Sequence, residues 1–164
     1  MEFIDILKSR RSIRKYKKEP IPRALLEEIT EAGKWGASAR AEYPWRFVII
    51  DDKERLKELA AIVGVHGRFI ADSAATIVVA SNPAKYYLED GSAATQNILN
   101  AAWAKGIGTC WVAGDKKDYC PQVLKFVNAP EGMKLVSLIS CGIPDEKPVK
   151  NKPENGTIIL WDRF

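Results

Sequence analysis

Four short runs of β-branched and aromatic residues constrain this chain more than any other feature. They are Trp45-Arg-Phe-Val-Ile-Ile50, Thr76-Ile-Val-Val-Ala80, Thr109-Cys-Trp-Val-Ala113 and Leu135-Val-Ser-Leu-Ile-Ser140. Each is strand-sized, and segments with a helical apolar stripe separate them. Glu2 to Ser9 carries Phe3, Ile6 and Leu7 on one side, and Pro22 opens a helix reaching about Lys34 through Leu25, Leu26, Ile29 and Ala32. Lys53 to Val63 turns Leu56, Leu59, Ala60 and Val63 inward. Tyr86 to Lys105 is the longest helix, small and apolar through Ala93, Ala94, Ile98, Ala101 and Ala102, and Gly106 ends it. A further helix carries Val123, Leu124 and Phe126. Helices and strands thus mix around one sheet, and 164 residues suffice for one domain with a proper core, residues 1–164. No apolar stretch exceeds strand length, so neither a signal peptide nor a membrane span is expected.

Residues 143–164 form an extended arm. Pro144, Pro148 and Pro153 stiffen it among charges, and it ends in the apolar run Thr157-Ile-Ile-Leu-Trp161. Such a run needs a sheet edge. The length of the arm allows it to return to its own sheet or to reach a partner subunit.

The histidine count limits the chemistry. His66 stands alone, so a histidine-rich metal site is excluded, and any Ser-His-Asp or Cys-His device would rest on this one residue. Its place between Gly64 and Gly67 reads as an exposed loop. Cys110, Cys120 and Cys141 form no CxxC pair, and an odd number of cysteines suits reduced thiols in a cytoplasmic protein. Cys110 reads as a small core residue with nothing nearby to lower its pKa.

The net charge is +4, yet Lys8, Arg10, Arg11, Arg14, Lys15, Lys17 and Lys18 fall in one run without an acid. The rest of the chain is therefore net acidic, which argues against a general nucleic-acid binder. Within Ser9-Arg-Arg-Ser-Ile-Arg14, an extended backbone puts Arg10, Ser12 and Arg14 on one face, where two guanidinium forks and a hydroxyl can converge on one anion. A solvated basic loop and a nucleic-acid patch are the other readings of the same residues. Lys150 and Lys152 join that site only if the arm folds over the basic segment. Gly106-Ile-Gly108 is no dinucleotide fingerprint, because its glycines close a helix and open a strand. An anion clamp without acid–base machinery favours a bound cofactor that carries the chemistry.

Three patches, in order, resemble the FMN-dependent nitroreductase superfamily. The first is Arg10-Arg-Ser-Ile-Arg14 with Ile21-Pro-Arg-Ala-Leu-Leu-Glu-Glu-Ile, and the second is Trp35-Gly-Ala-Ser38 leading to Pro44-Trp-Arg-Phe-Val-Ile. The third joins Asp90-Gly-Ser-Ala-Ala-Thr-Gln-Asn, Gly106-Ile-Gly-Thr-Cys-Trp111 and Cys141-Gly-Ile-Pro-Asp-Glu-Lys-Pro148. The resemblance implies an α+β fold with a mainly antiparallel sheet flanked by helices. It also implies a homodimer that exchanges C-terminal strands and holds FMN at the subunit interface. It assigns phosphate and ribityl to Arg10, Arg11, Ser12 and Arg14, with Lys150 and Lys152 joining from the arm. Ser38 and Ala39 would approach the flavin of the other subunit, and Trp111, Val112, Ala113 and Gly114 would bring backbone to the ring edge, with the amide of Ala113 or Gly114 near N5. His66 and Arg68 would meet the pyrimidine end.

The implied activity is hydride transfer from NAD(P)H, through the flavin, to nitroaromatic, quinone or flavin acceptors. Two alternatives stay open: a specialised flavin enzyme with a non-nicotinamide donor, and a non-catalytic module binding an anionic partner through residues 8–18. The chain departs from the family at Ala37, where proline is common, and at Ala41 and Tyr43, where Asn and Gln are frequent. It also lacks an inserted helical segment between Ser81 and Lys105, which implies a more open flavin face.

Overall fold

The computed structural model describes residues 2–149 and 159–163. Its centre is a four-stranded antiparallel sheet of β1 (Trp45–Ile50), β2 (Ala75–Ser81), β3 (Gly108–Ala113) and β4 (Lys134–Gly142), in the order β1-β2-β4-β3. All four are the apolar runs of the sequence: β1 matches its run, and the other three extend theirs by one to three residues in all. The central pair, β2 and β4, is buried along nearly its whole length because helices cover both faces. This is why these two strands read as continuous apolar runs rather than as alternating ones.

On one face, α2 (Arg23–Glu31) and α4 (Tyr87–Ala104) pack Leu26, Ile29, Ile98 and Leu99 against Ile77, Val79 and Ile139. On the other, α3 (Lys53–Val63) and α5 (Cys120–Phe126) pack Leu56, Leu59 and Val123 against Val78, Val112 and Leu138. Alternate residues of the strands thus feed two separate cores, with the alternation in β4 reset at Val136 by a bulge against β2. The small residues of α4 serve close approach: a Cβ on Gly91 would stand 2.6 Å from a methyl of Val136, and Thr95 Oγ1 lies 2.8 Å from Ser137 Oγ. Asp52 caps α3 by accepting the Arg55 amide at 2.9 Å. Gly106, at φ +75°, closes α4 in the left-handed conformation expected of a helix-ending glycine.

The helix opened by Pro22 ends at Glu31 and continues as a tighter 3-10 turn, Ala32–Trp35. Gly64–Asp72, expected as a loop, is a nine-residue stretch of 3-10 turns. The first helix, α1 (Phe3–Ser9), buries none of its residues, and Phe3, Ile4 and the neighbouring Trp35 are exposed. No helix among the described residues is long and apolar enough to cross a membrane. Of the expected C-terminal strand, Thr157 and Ile158 lie outside the described residues. Ile159 and Leu160 belong to no strand, and the side chains of Ile159 to Trp161 are exposed.

Candidate cofactor site

The basic segment is extended, and backbone bonds hold it in place. Its path starts at β3, the open edge of the sheet, where Ile13 donates its amide to the Thr109 carbonyl at 2.9 Å and Ser12 bridges Thr109 in parallel. It then crosses to the start of the arm: Lys17 donates to Ile143 and Asp145 donates to Lys15, both at 2.9 Å. Glu146 accepts the amides of Arg14 and Lys15 at 2.5 and 3.1 Å. The first residues of the arm therefore do fold over the basic segment. Lys150 and Lys152 lie outside the described residues.

Two glycines let this layer approach the sheet. A Cβ on Gly108 would meet Ile13 at 2.9 Å, and one on Gly142 would meet the Tyr16 ring at 2.5 Å. Tyr16 is buried there, its hydroxyl 2.6 Å from Ser140 Oγ and donating to the Ile13 carbonyl. Burial pushes its pKa well above the ordinary tyrosine value.

Arg10, Ser12 and Arg14 all reach the surroundings of Cys110, whose thiol burial pushes up while Arg14, a hydrogen bond with Ser12, and Arg10 pull it back. The expectation that nothing near Cys110 would lower its pKa is therefore corrected: three neighbours do, and burial outweighs them. At Arg10, burial and then the charge of Arg11 hold the guanidinium pKa below its usual value, so an anion there would meet a partly desolvated cation. Arg14 lies over the Phe69 ring, 5.8 Å from its centroid, which brings Gly64–Asp72 beside the clamp. His66 and Arg68, exposed in that stretch, stand within three residues of Phe69.

Arg11 faces elsewhere. Its Nη1 donates to the carbonyls of Lys8, at 2.7 Å, and Arg10, at 3.0 Å, closing the end of α1. It also borders a cleft of about 770 Å³ lined by Ser9, Ile13, Trp103, Pro144 and Lys147, among others. Arg10, Ser12 and Arg14 do not line that cleft.

The rim of β3 follows from pairing parity. Gly114 donates its amide to Val136 at 3.2 Å, so the even-numbered residues of this strand bond to β4 and the odd-numbered ones point off the open edge. The Thr109 carbonyl, which accepts from Ile13, obeys the same parity. Trp111 and Ala113 consequently present their amides along the open edge, beside the basic segment. Of the two amides expected near a flavin N5, that of Gly114 is engaged by β4 and that of Ala113 faces outward. Val112 is buried between β3 and the α3/α5 layer, and the Trp111 side chain is exposed. Thr109 Oγ1 is buried with no hydrogen-bond partner among the described residues.

The loop of Ser38 and Ala39 is built differently. The buried carboxylate of Asp90, on α4, accepts the Ser38 hydroxyl at 2.8 Å and the Ala39 amide at 3.0 Å. Ser38 Oγ in turn accepts the Tyr43 amide at 2.9 Å. Arg40, Ala41 and Tyr43 all have φ between +45° and +57°, a conformation costly for residues with a Cβ. Sequence reasoning missed Asp90, Glu146 and Phe69. Asp90 stood in a quoted patch, and an acid inside an otherwise apolar helical face was the available signal.

Guanidinium forks, a hydroxyl and outward strand amides form a donor set suited to a phosphate-bearing, electron-rich cofactor. An α+β domain with such a rim offers a ligand a sheet edge lined with hydrogen-bond donors. Residues 7–78 and 58–143 match the Nitroreductase family. An Archaeoglobus fulgidus protein with the provisional name NADH dehydrogenase/NAD(P)H nitroreductase is 34% identical over 154 residues, covering 89% of this chain and 88% of that one. An iodotyrosine deiodinase of Thermotoga neapolitana is 27% identical, covering 98% of this chain and 97% of its own. Among solved structures, the FMN-dependent nitroreductase of Clostridium difficile R20291 superposes with a TM-score of 0.88 at 26% identity, covering 98% and 99% of the two chains. The chain belongs to the nitroreductase family.

Proposed function

We propose that this protein is an FMN-dependent oxidoreductase that works as a homodimer and moves hydride from NAD(P)H to nitroaromatic, quinone or flavin acceptors. The observation that carries this reading is the convergence of Arg10, Ser12 and Arg14 beside the outward amides of β3. In this reading Arg10 and Arg14 hold the phosphate, Ser12 adds a hydroxyl donor, and Lys150 and Lys152 reinforce them from the arm. Arg11 shapes the segment from behind by closing α1. The amides of Trp111 and Ala113 meet the ring edge, and Val112 and Gly114 fix that edge to the sheet. His66 and Arg68 contact the pyrimidine end. When bound, FMN would supply the two-electron carrier between a nicotinamide and the acceptor. No side-chain base is needed for that transfer.

Dimerisation is supported by an apolar, unpartnered face. Phe3, Ile4 and Trp35 are 63, 55 and 81% exposed, and a cleft of about 350 Å³ runs between Phe3, Ile6, Trp35 and Ala101. The exposed Ile159 to Trp161 suits a strand delivered to a second subunit. In such a dimer Ser38 and Ala39 reach the partner's flavin.

A specialised acceptor is the second reading, favoured by the deiodinase relative that matches nearly the whole chain. Ala41 and Tyr43 are where the two readings would diverge. The test is direct: the purified protein should be yellow, release FMN on denaturation and bleach anaerobically with NADH or NADPH. A yellow protein that dithionite bleaches but neither nicotinamide does would select the non-nicotinamide alternative. A colourless protein that takes up no FMN and binds DNA with a steep salt dependence would overturn the flavin reading altogether.

A further inference from the structure

Two adjacent carbonyls at the end of β3 are closed by two adjacent residues of α5 and its N-cap. The Tyr119 hydroxyl donates to the Ala113 carbonyl, and Cys120 Sγ donates to the Gly114 carbonyl at 3.0 Å, which also accepts the Lys117 amide at 3.2 Å. Tyr119 is half-buried against the α3/α5 core, and burial pushes its pKa up, so its proton stays on the bond. By the parity of β3, the Ala113 carbonyl points off the same open edge as the Ala113 amide. Left bare, that oxygen would place a lone pair beside the outward amides.

We infer that Tyr119 is a positioning residue that makes the end of β3 a donor-only rim and thereby favours the reduced form of the cofactor. This rests on the flavin reading above. Two-electron reduction adds negative charge to a flavin, and a bare carbonyl at the rim would oppose it while a hydroxyl-bonded one does so less. The Gly114 carbonyl differs: by the same parity it belongs to the β4 side, and it accepts the Lys117 amide as well as the Cys120 thiol, so Cys120 adds nothing to the rim. The effect of Tyr119 differs from simple bracing of the strand end. Bracing would change affinity for oxidised and reduced FMN alike, whereas closing a carbonyl changes their ratio.

The experiment is a dye-equilibration measurement of the bound-FMN midpoint potential in the wild-type homodimer and in Tyr119→Phe, with FMN affinity measured in both redox states. Loss of one hydrogen bond of ordinary strength should shift the ratio of reduced to oxidised affinity about fivefold. That corresponds to a potential lower by about 20 mV, at about 30 mV per tenfold for a two-electron couple. Cys120→Ala, which leaves the Gly114 carbonyl with the Lys117 amide, should leave the potential unchanged, and Tyr119→Leu carries the test should Tyr119→Phe fail to fold. Tyr119→Phe that holds FMN at an unchanged potential would overturn the role of Tyr119 and leave the flavin reading standing. A wild-type protein that takes up no FMN would overturn both.

Discussion

The two segments assigned to the cofactor are held by opposite means. Ser9 to Lys17 is stitched by backbone bonds to Thr109, Ile143 and Lys15–Asp145 and seated over Gly108 and Gly142, and none of its residues has a positive φ. Between Gly36, whose amide donates to Gly33, and Pro44, whose carbonyl accepts the Asn82 amide, the loop hangs on one buried carboxylate, Asp90, and contains three non-glycine residues at positive φ. The first segment is thus an anchor whose geometry the sheet dictates. The second stores strain that a single side chain on α4 restrains, which is the arrangement expected where a loop must present its backbone to a ligand. The family departures at Ala37, Ala41 and Tyr43 all fall in the strained segment. Substitutions can therefore accumulate there without disturbing the basic segment.

Removing the single restraint should have the largest consequence. Asp90→Ala leaves the Ser38 hydroxyl and the Ala39 amide without their acceptor, and the expected loss of stability is about 3 kcal/mol, the scale of charged hydrogen bonds broken in a buried place. Urea unfolding reads the loss, and hydrogen exchange should show faster opening of residues 36–43 with residues 10–17 unchanged. Equal opening of both segments would erase the contrast between them. Gly36 offers a control, because a Cβ there would stand 2.8 Å from the Ala94 backbone nitrogen, a contact that no side-chain rotation relieves.

The anchor contains its own comparison. Arg10→Ala and Arg14→Ala should each weaken FMN retention by roughly 1.5–3 kcal/mol, the scale of a hydrogen bond to a charged group. Arg11→Ala should cost far less in FMN affinity, because its guanidinium bonds to the carbonyls of Lys8 and Arg10. Fluorescence titration of the apoprotein with FMN measures all three. Equal losses at Arg10, Arg11 and Arg14 would mean that an anion sees the run as undifferentiated charge rather than as a face.

What the sequence revealed follows the same division. The four strands were legible because helices bury both faces of β2 and β4, which leaves an apolar signal that no turn residue interrupts. The convergence of Arg10, Ser12 and Arg14 was legible because it depends only on extended backbone. The divergence of Arg11 was implicit in the same rule, yet its capping role depends on where α1 ends. Asp90 and Glu146 could not be assigned partners, since their bonds to Ser38 and Arg14 span 52 and 132 residues of chain. The arrangement of the rim needed the register of β3 against β4, and a shift of one residue would reverse which of Ala113 and Gly114 faces outward. Periodicity alone does not encode that register.

The smallest effect tests the strain itself. Ala41 sits at φ +54°, where its Cβ is unfavourable, and glycine would adopt the same backbone without that penalty. Glycine also has more freedom to lose from the unfolded chain, which offsets part of the gain. The balance favours Ala41→Gly by about 0.5–1 kcal/mol of added stability, since the left-handed penalty of ~1–2 kcal/mol exceeds the entropic cost of ~0.4–1 kcal/mol. A substitution to glycine that raises the midpoint of thermal unfolding is uncommon, so its sign is diagnostic. The same change at Ala39, whose amide bonds to Asp90 and which is absent from the positive-φ residues, should lower stability instead. If both substitutions destabilise alike, the loop rests unstrained on Asp90, and the two segments differ only in the number of bonds that hold them.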